Sequence, residues 1–227
     1  METMIRTVNV KRCFPIPGGS SFYALKGINI EVPRSSLTIL KGRSGSGKTT
    51  LLNIIGALDK PSEGQVFLDG REISSLSENH RDRIRRRDIG FVFQSVTLIP
   101  MMTAYENVEY ALRLGKYAGN RKERVEECLK MVGLGQRMRH MPQELSGGEQ
   151  QRVAIARAIA HKPKVIFADE PTGELDSNTS LQVMKIFREL IDKEGITIVM
   201  TTHDTGLMTL GDVVYEVEDG EIINGSL

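Results

Sequence analysis

Gly42-Arg43-Ser44-Gly45-Ser46-Gly47-Lys48-Thr49 decides how the rest of this chain is read. It fits the spacing G-x-x-x-x-G-K-[ST], in which backbone N–H groups cradle a polyphosphate, the lysine reaches the β- and γ-phosphates, and the hydroxyl ligates Mg²⁺. Just before it, the short apolar run Leu37-Thr38-Ile39-Leu40 reads as a strand, and just after it Thr49 to Leu58 reads as a helix. Strand, loop and helix are the context this spacing needs, because the helix N-terminus adds its positive dipole end beneath the phosphates. By itself the loop points to a nucleotide and no further.

The same grammar recurs three times. Ile89-Gly90-Phe91-Val92-Phe93 ends at Gln94, Val165-Ile166-Phe167-Ala168 ends at Asp169-Glu170, and Ile196 to Thr202 ends at His203. Short β-branched and aromatic runs of this kind suit strands buried on both faces. Ligand sites in open α/β sheets lie beyond the carboxyl ends of the strands. An Asp-Glu pair after one strand is most often a solvated turn, and a single histidine most often a satisfied polar residue. Delivered to one sheet edge together with a phosphate loop, they read as a site.

Leu145-Ser146-Gly147-Gly148-Glu149 lies about a hundred residues beyond the phosphate loop. Ser-x-x-Glu is a capping box, and it opens the alanine-rich helix that begins Gln150-Gln151-Arg152-Val153-Ala154. The box leaves the paired glycines unexplained, since each costs roughly 1 kcal/mol relative to alanine inside a helix. They make sense where a phosphate must approach bare backbone at a helix N-terminus.

The chain has 227 residues, enough for a sizeable core, with 30 Lys+Arg against 29 Asp+Glu. That balance leaves no electrostatic footprint for nucleic acid. Cys13 and Cys128 are too few for a disulfide framework and read as small buried residues of a reducing compartment. The first ten residues lack the apolar core of a secretory signal. The longest mostly apolar stretch, Leu51 to Leu58, is far short of the about 20 residues a spanning helix needs, so the chain is expected not to cross a bilayer by itself.

Taken in order, the phosphate loop, Gln94, Leu-Ser-Gly-Gly-Glu, strand-Asp-Glu and strand-His resemble an ATP-binding cassette (ABC) ATPase over essentially the whole chain. Leu51-Leu52-Asn53-Ile54-Ile55-Gly56 with Asp59-Lys60-Pro61, Leu98-Ile99-Pro100, Glu106-Asn107-Val108 and Ala168-Asp169-Glu170-Pro171-Thr172-Gly173 resemble the ATPase subunits of macrolide-export, lipoprotein-release and antimicrobial-peptide-resistance transporters. The resemblance implies an α/β P-loop NTPase fold with a mainly parallel core sheet, an antiparallel β-subdomain and an inserted helical subdomain. The whole chain would be one ABC ATPase domain, with residues 1–94 and 144–227 as catalytic lobe and 95–143 as helical lobe. The antiparallel part would use about Ile5–Val10 and Tyr23–Val32, joined by Gly64–Leu68. From composition, Asn120 to Met131 reads as helix. Val213–Val217 and Glu221–Ile223 around Asp219-Gly220 read as a hairpin.

The resemblance further implies two chains bound head to tail around two Mg-ATP. Gly42, Arg43, Ser44, Gly45, Ser46, Gly47, Lys48, Thr49 and Thr50 of one chain would hold the nucleotide. Ser146, Gly147, Gly148 and Glu149 of the other would close on it, and Asp176 would join the halves. Thr49, Gln94 and Asp169 would organise Mg²⁺. Lys48, Gln94, Glu170 and His203 would carry the hydrolysis, with Glu170 acting on the attacking water. Phe14 stands where the family usually stacks a tyrosine on adenine, and Tyr23 is the alternative. Glu174 stands where the family more often has Asn or Ala.

The implied partners are a separately encoded membrane permease and a second copy of the chain, not nucleic acid. The implied location is the cytoplasmic face of the cell membrane, reached through the permease. Leu98-Ile99-Pro100-Met101-Met102 falls where the family docks a coupling helix and reads as part core, part contact. Arg81, Arg83, Arg85, Arg86 and Arg87, interleaved with Asp82, read as a solvated helix face. Two other functions fit the fold: a mechanotransmitting or regulatory ATPase in division or wall control, and a cassette acting on DNA or ribosomes. The latter's coiled coils or tandem cassettes have no counterpart here, where about fifty residues separate Gln94 from Leu145.

Overall fold

The computed structural model describes residues 2–17, 19 and 21–226. The chain opens with three antiparallel strands, β1 (Thr3–Pro15), β2 (Ser21–Ile28) and β3 (Glu31–Pro33). It then crosses to a second sheet through β4 (Leu37–Lys41) and α1 (Lys48–Ile55). β5 (Glu63–Leu68) and β6 (Arg71–Glu72) return to the first sheet, whose order is β2-β1-β5-β6 with β3 also paired to β1.

From α2 (Glu78–Asp88) the chain builds the rest of the second sheet. β7 (Ile89–Val92) is followed by α3 (Ala104–Leu114), α4 (Arg121–Met131) and α5 (Gly147–Ile159). β8 (Val165–Asp169), α6 (Ser177–Glu194), β9 (Thr197–Thr202), β10 (Val213–Glu218) and β11 (Glu221–Ser226) complete it. The order is β11-β10-β4-β9-β8-β7, parallel throughout except for β11. Asp219 and Gly220, at φ 46° and 80°, turn β10 into β11, as a two-residue hairpin turn of this hand requires.

Alternation along the parallel strands explains why they read as continuous apolar runs. Ile166 and Ala168 of β8, Ile198 and Met200 of β9, and Leu37 and Ile39 of β4 pack with residues of α3, α4, α5 and α6. Phe167, Val199 and Leu40 point the other way, into α1 and the antiparallel sheet. Successive side chains of a strand face opposite sides, so both must be apolar when both sides are covered. Cys128 lies wholly within the first of these cores, and burial pushes its thiol up to about 11, which fits a packing residue.

Several boundaries differ from the expectations. α1 stops at Ile55 rather than Leu58: a Cβ at Gly56 would stand 2.9 Å from the Phe91 ring, and Ala57 turns to φ 59°. The expected strand Tyr23–Val32 is two strands. Between them Ile30 N donates to Thr7 Oγ1, and Thr7 Oγ1 donates to Ile28 O. β1 runs on to Pro15, well past Val10. The arginine-rich α2 is not simply a solvated face. Arg81 is buried and paired with Glu78, and Arg85 donates to Ala57 O at 2.7 Å. Only part of the cluster is left outside.

Candidate active site

The phosphate-loop segment joins the end of β4 to α1, and its glycines answer to their own chain first. A Cβ at Gly42 would lie 2.2 Å from Val217 O, and one at Gly47 would lie 2.7 Å from Ala24 O. The loop is thereby wedged between β10 and β2. Lys48 is 5% exposed, and its Nζ donates to Gly42 O at 2.8 Å and Arg43 O at 2.9 Å, so the ammonium sits inside the curl of the loop. Ser46 Oγ is buried with no hydrogen-bond partner among the described residues. Thr49 and Thr50 stand in the first turn of α1. An open cleft of about 550 Å³ lies over the loop, lined by Lys41 to Ser46, His203 and Glu216 to Asp219 among others.

The ends of β8 and β9 reach the same place. Thr49 Oγ1 donates to Asp169 Oδ1 at 3.1 Å, and Thr201 Oγ1 donates to that oxygen at 2.6 Å. Thr201 Oγ1 also accepts from Glu170 N at 2.9 Å. Glu170 has φ 44°, a left-handed conformation rare for a non-glycine residue. Its carboxylate lies between two cationic or protonatable groups. Oε1 is 4.0 Å from Lys48 Nζ, and Oε2 is 3.0 Å from His203 Nδ1. Gln94 joins the cluster from the end of β7: its Nε2 and Glu170 Oε2 each stand 3.5 Å from where a Cβ on Gly173 would be.

The oxygen pair Thr49–Asp169 fits Mg²⁺ chemically, since both are hard donors. Among the described residues no three His, Cys, Asp or Glu side chains cluster as a metal site. That also suits Mg²⁺, which is usually held by one or two protein oxygens with waters and substrate phosphates. The unpartnered Ser46 hydroxyl and the lysine inside the loop suit an anionic group there.

The expected capping box at Ser146 is present. Ser146 Oγ accepts from Glu149 N at 3.3 Å and Glu149 Oε2 accepts from Ser146 N at 2.9 Å. That backbone donor holds the Glu149 carboxyl below its ordinary range. The two glycines differ. A Cβ on Gly147 would meet nothing within 4 Å, whereas one on Gly148 would lie 2.3 Å from Thr179 Cγ2. Gly148 therefore has a reason inside the chain. Asp176 likewise has an intrachain task as N-cap of α6, accepting from Thr179 Oγ1 at 2.6 Å and from the N–H groups of Asn178 and Thr179. Among the described residues, no hydrogen bond or ion pair ties Ser146–Glu149 to the loop at 42–49.

Phe14 pairs with Phe22 across β1 and β2, is 38% exposed, and carries the Arg12 guanidinium 4.4 Å from its ring centre. Phe14 and Tyr23 lie outside the lining of the cleft over the loop. Of the Leu98–Met102 stretch, Leu98 packs on the core and Met101 is 83% exposed. Buried Asn107 pins that stretch, with Nδ2 donating to Ile99 O, Met102 O and Thr103 O and Oδ1 accepting from Ile99 N.

Sequence reasoning passed over two further residues. Thr201 read as β-branched filler of a strand. Gln151 read as one polar position on a helix, yet it is 1% exposed, its Nε2 donates to Pro171 O at 2.8 Å and, at 3.5 Å, to Phe93 O. It ties α5 to the residue after Glu170 and to the residue before Gln94. A Gln two positions beyond the capping glutamate was the available signal.

Comparison with known proteins agrees with this geometry. The ABC transporter family matches residues 25–173. An uncharacterized ABC transporter ATP-binding protein of Methanocaldococcus jannaschii, MJ0796, is 45% identical over 96% of this chain and 95% of its own length. The lipoprotein-releasing system ATP-binding protein LolD of Aquifex aeolicus is 45% identical over 98% of this chain and 97% of its own. The macrolide export ATP-binding/permease protein MacB of Wolinella succinogenes is 43% identical over 97% of this chain, which spans 34% of that longer protein. A dimeric, post-hydrolysis structure of MJ0796 bound to ADP and Pi superposes with a TM-score of 0.90, covering 98% of both chains at 42% identity. The chain belongs to the ABC transporter family, as one of its ATPase cassettes.

Proposed function

We propose that this chain hydrolyses Mg-ATP as the energy-supplying subunit of a transporter, working on a separately encoded permease at the cytoplasmic face of the membrane. The carrying observation is the position of Glu170, between Lys48 Nζ at 4.0 Å and His203 Nδ1 at 3.0 Å, beside the Thr49–Asp169 pair. Among the described residues no helix is long and apolar enough to cross a membrane, which fits a subunit that works through another protein. The likeness to a lipoprotein-releasing ATP-binding protein and to a macrolide export ATP-binding/permease protein supports release of lipoproteins or export of macrolides as the kind of system served.

Bound Mg-ATP supplies the phosphoryl group and the cation that neutralises its charge. Lys48 holds negative charge within the loop, and Gly42 to Thr50 supply backbone donors around it. Thr49 and Asp169, with Gln94, would hold Mg²⁺ on the protein side. Glu170 takes the proton of the attacking water at a carboxylate oxygen, with His203 orienting that carboxylate. Residues 1–94 and 144–227 form the catalytic lobe and 95–143 the helical lobe. Ser146, Gly147, Gly148 and Glu149 close on the nucleotide of a second copy bound head to tail, with Asp176 at the seam. The MJ0796 dimer supports that arrangement. Phe14, with Tyr23 as the alternative, would stack on the base; the Arg12 guanidinium lies over the Phe14 ring.

Glu170→Gln tests the assignment. The variant should bind ATP, dimerise in its presence and turn over at least about a thousandfold more slowly, the scale of about 4 kcal/mol of lost barrier reduction. ATPase rates near wild type would remove Glu170 from the mechanism.

A further inference from the structure

Gln94 stands in a segment with little hold on itself. Between β7, which ends at Val92, and Ile99, whose N–H donates to Asn107, the chain is neither helix nor strand. Among the described residues, Gln94 to Leu98 make no backbone–backbone hydrogen bond. The bonds that do reach this stretch come from side chains of α5. Gln151 Nε2 donates to Phe93 O at 3.5 Å, one residue before Gln94. Arg157 takes the other side. Its Nη1 donates to Thr97 O at 2.5 Å and its Nη2 to Thr97 Oγ1 at 3.0 Å.

Packing alone does not account for Arg157. It is half-buried, and burial with no compensating carboxylate draws its guanidinium below the ordinary value. A cation withdrawn from water without a counter-charge is costly, whereas a methionine would fill the same space without that cost. What arginine alone supplies is a rigid planar fork of donors. With both prongs on one residue, the fork fixes the rotation of Thr97 as well as its position.

Resting on the reading of Gln94 as a group that holds Mg²⁺, we propose that Arg157 is a positioning residue for Gln94. Through its fork on Thr97 it sets where the Gln94 amide stands, while touching neither nucleotide nor cation itself. That amide now flanks Gly173 together with Glu170 Oε2. Gln94 is exposed, so its own surroundings do not fix it. With Thr97 released, the segment would spread over many conformations and the amide would hold its place for only part of the time. Outer partners that orient a metal ligand in this way commonly matter almost as much as the ligand.

The test uses the full-length chain carrying Ser95→Trp, the sole tryptophan in a chain that has none of its own. Into this parent go Arg157→Met, which removes the fork, Arg157→Lys, which keeps the charge, and Thr97→Val, which removes the hydroxyl. The measurements are tryptophan anisotropy decay without nucleotide, binding of a fluorescent ATP analogue in Mg²⁺ and in EDTA, and steady-state ATPase. Arg157→Met should raise the mobility at residue 95 and leave binding in EDTA within about twofold of the parent. The tightening that Mg²⁺ produces and the turnover should each fall about tenfold, the scale for outer partners of a metal ligand. Arg157→Lys and Thr97→Val should fall between parent and Arg157→Met. Adding Thr97→Val to Arg157→Met should change little more, because both act through one contact. Should Arg157→Met not fold, Thr97→Val and Arg157→Lys decide the matter. Unchanged mobility, or a looser segment with the Mg²⁺ tightening intact, would overturn the proposal. Gln94→Ala separates the two levels. Loss of the tightening there but not in the Arg157 variants overturns the fork alone, and no loss there overturns the Gln94 reading together with it.

Discussion

At the scale of single residues, the site depends on side chains that hold others. Glu170 adopts φ 44°, and its N–H donates to the hydroxyl of Thr201, which also donates to Asp169. Such a backbone costs of order 1–3 kcal/mol and persists where the surroundings over-determine it. Gln151 supplies part of that surround from the other side through Pro171 O. Gln151→Leu keeps the bulk and removes the donor, leaving a buried carbonyl unpaired at a cost of about 1–3 kcal/mol. A melting point lower by roughly 3–10 °C follows for a chain of this size. Turnover should fall about tenfold or more, with the ATP KM changed less than about twofold, because the loss falls on positioning for the transition state rather than on binding. Steady-state ATPase and thermal unfolding on one preparation decide it. Unchanged turnover with a lower melting point would make the tie purely structural. Glu170 and Asp169 were legible in the sequence because they end a strand in a known order. Gln151 was not, because its partners lie 20 and 58 residues away.

At the scale of elements, the paired glycines at the start of α5 separate into two problems. Gly148 packs against Thr179 at the start of α6, so Gly148→Ala must push the two helices apart and should lower the melting point by several degrees. Gly147 opens on free space, and alanine favours helix by up to about 1 kcal/mol, so Gly147→Ala should leave thermal stability equal or slightly raised. Its ATPase should nevertheless fall by about tenfold or more, the scale of 1.4 kcal/mol, if the bare backbone there meets the nucleotide of a second copy. Parallel melting curves and ATPase assays of the two variants check both halves. Full activity in Gly147→Ala would remove that contact. α2 teaches the same lesson from the opposite direction. Its arginines read as one solvated face, but burial of Arg81 and the Arg85–Ala57 bond divide the helix between an inner and an outer task.

Across the whole molecule, the two sheets are fastened by charge as well as by core. Asp69, in the turn between β5 and β6, pairs with Lys164 before β8 and with Arg34 after β3. The hydrogen bond from Lys164, then that from Arg34, hold its carboxyl below the ordinary value. A carboxylate depressed in the folded state contributes stability that is present above its unfolded value, about pH 3.9, and lost as pH falls through the folded one. Acid titration of the melting point should therefore drop below about pH 4, and Asp69→Asn should flatten that limb while lowering stability at pH 7. Identical acid limbs in the two proteins would remove Asp69 from the balance. The sequence by itself determined where the parallel strands run along the chain and which polar residues end them, because apolar runs, loop glycines and helix caps are local requirements written in neighbouring residues. The tertiary structure alone decided that Gly148 answers to Thr179 and that Thr201 and Gln151 hold the Asp169–Pro171 segment. Each of these is a contact between elements, and its energy exists only once the chain has brought distant segments within a few ångströms.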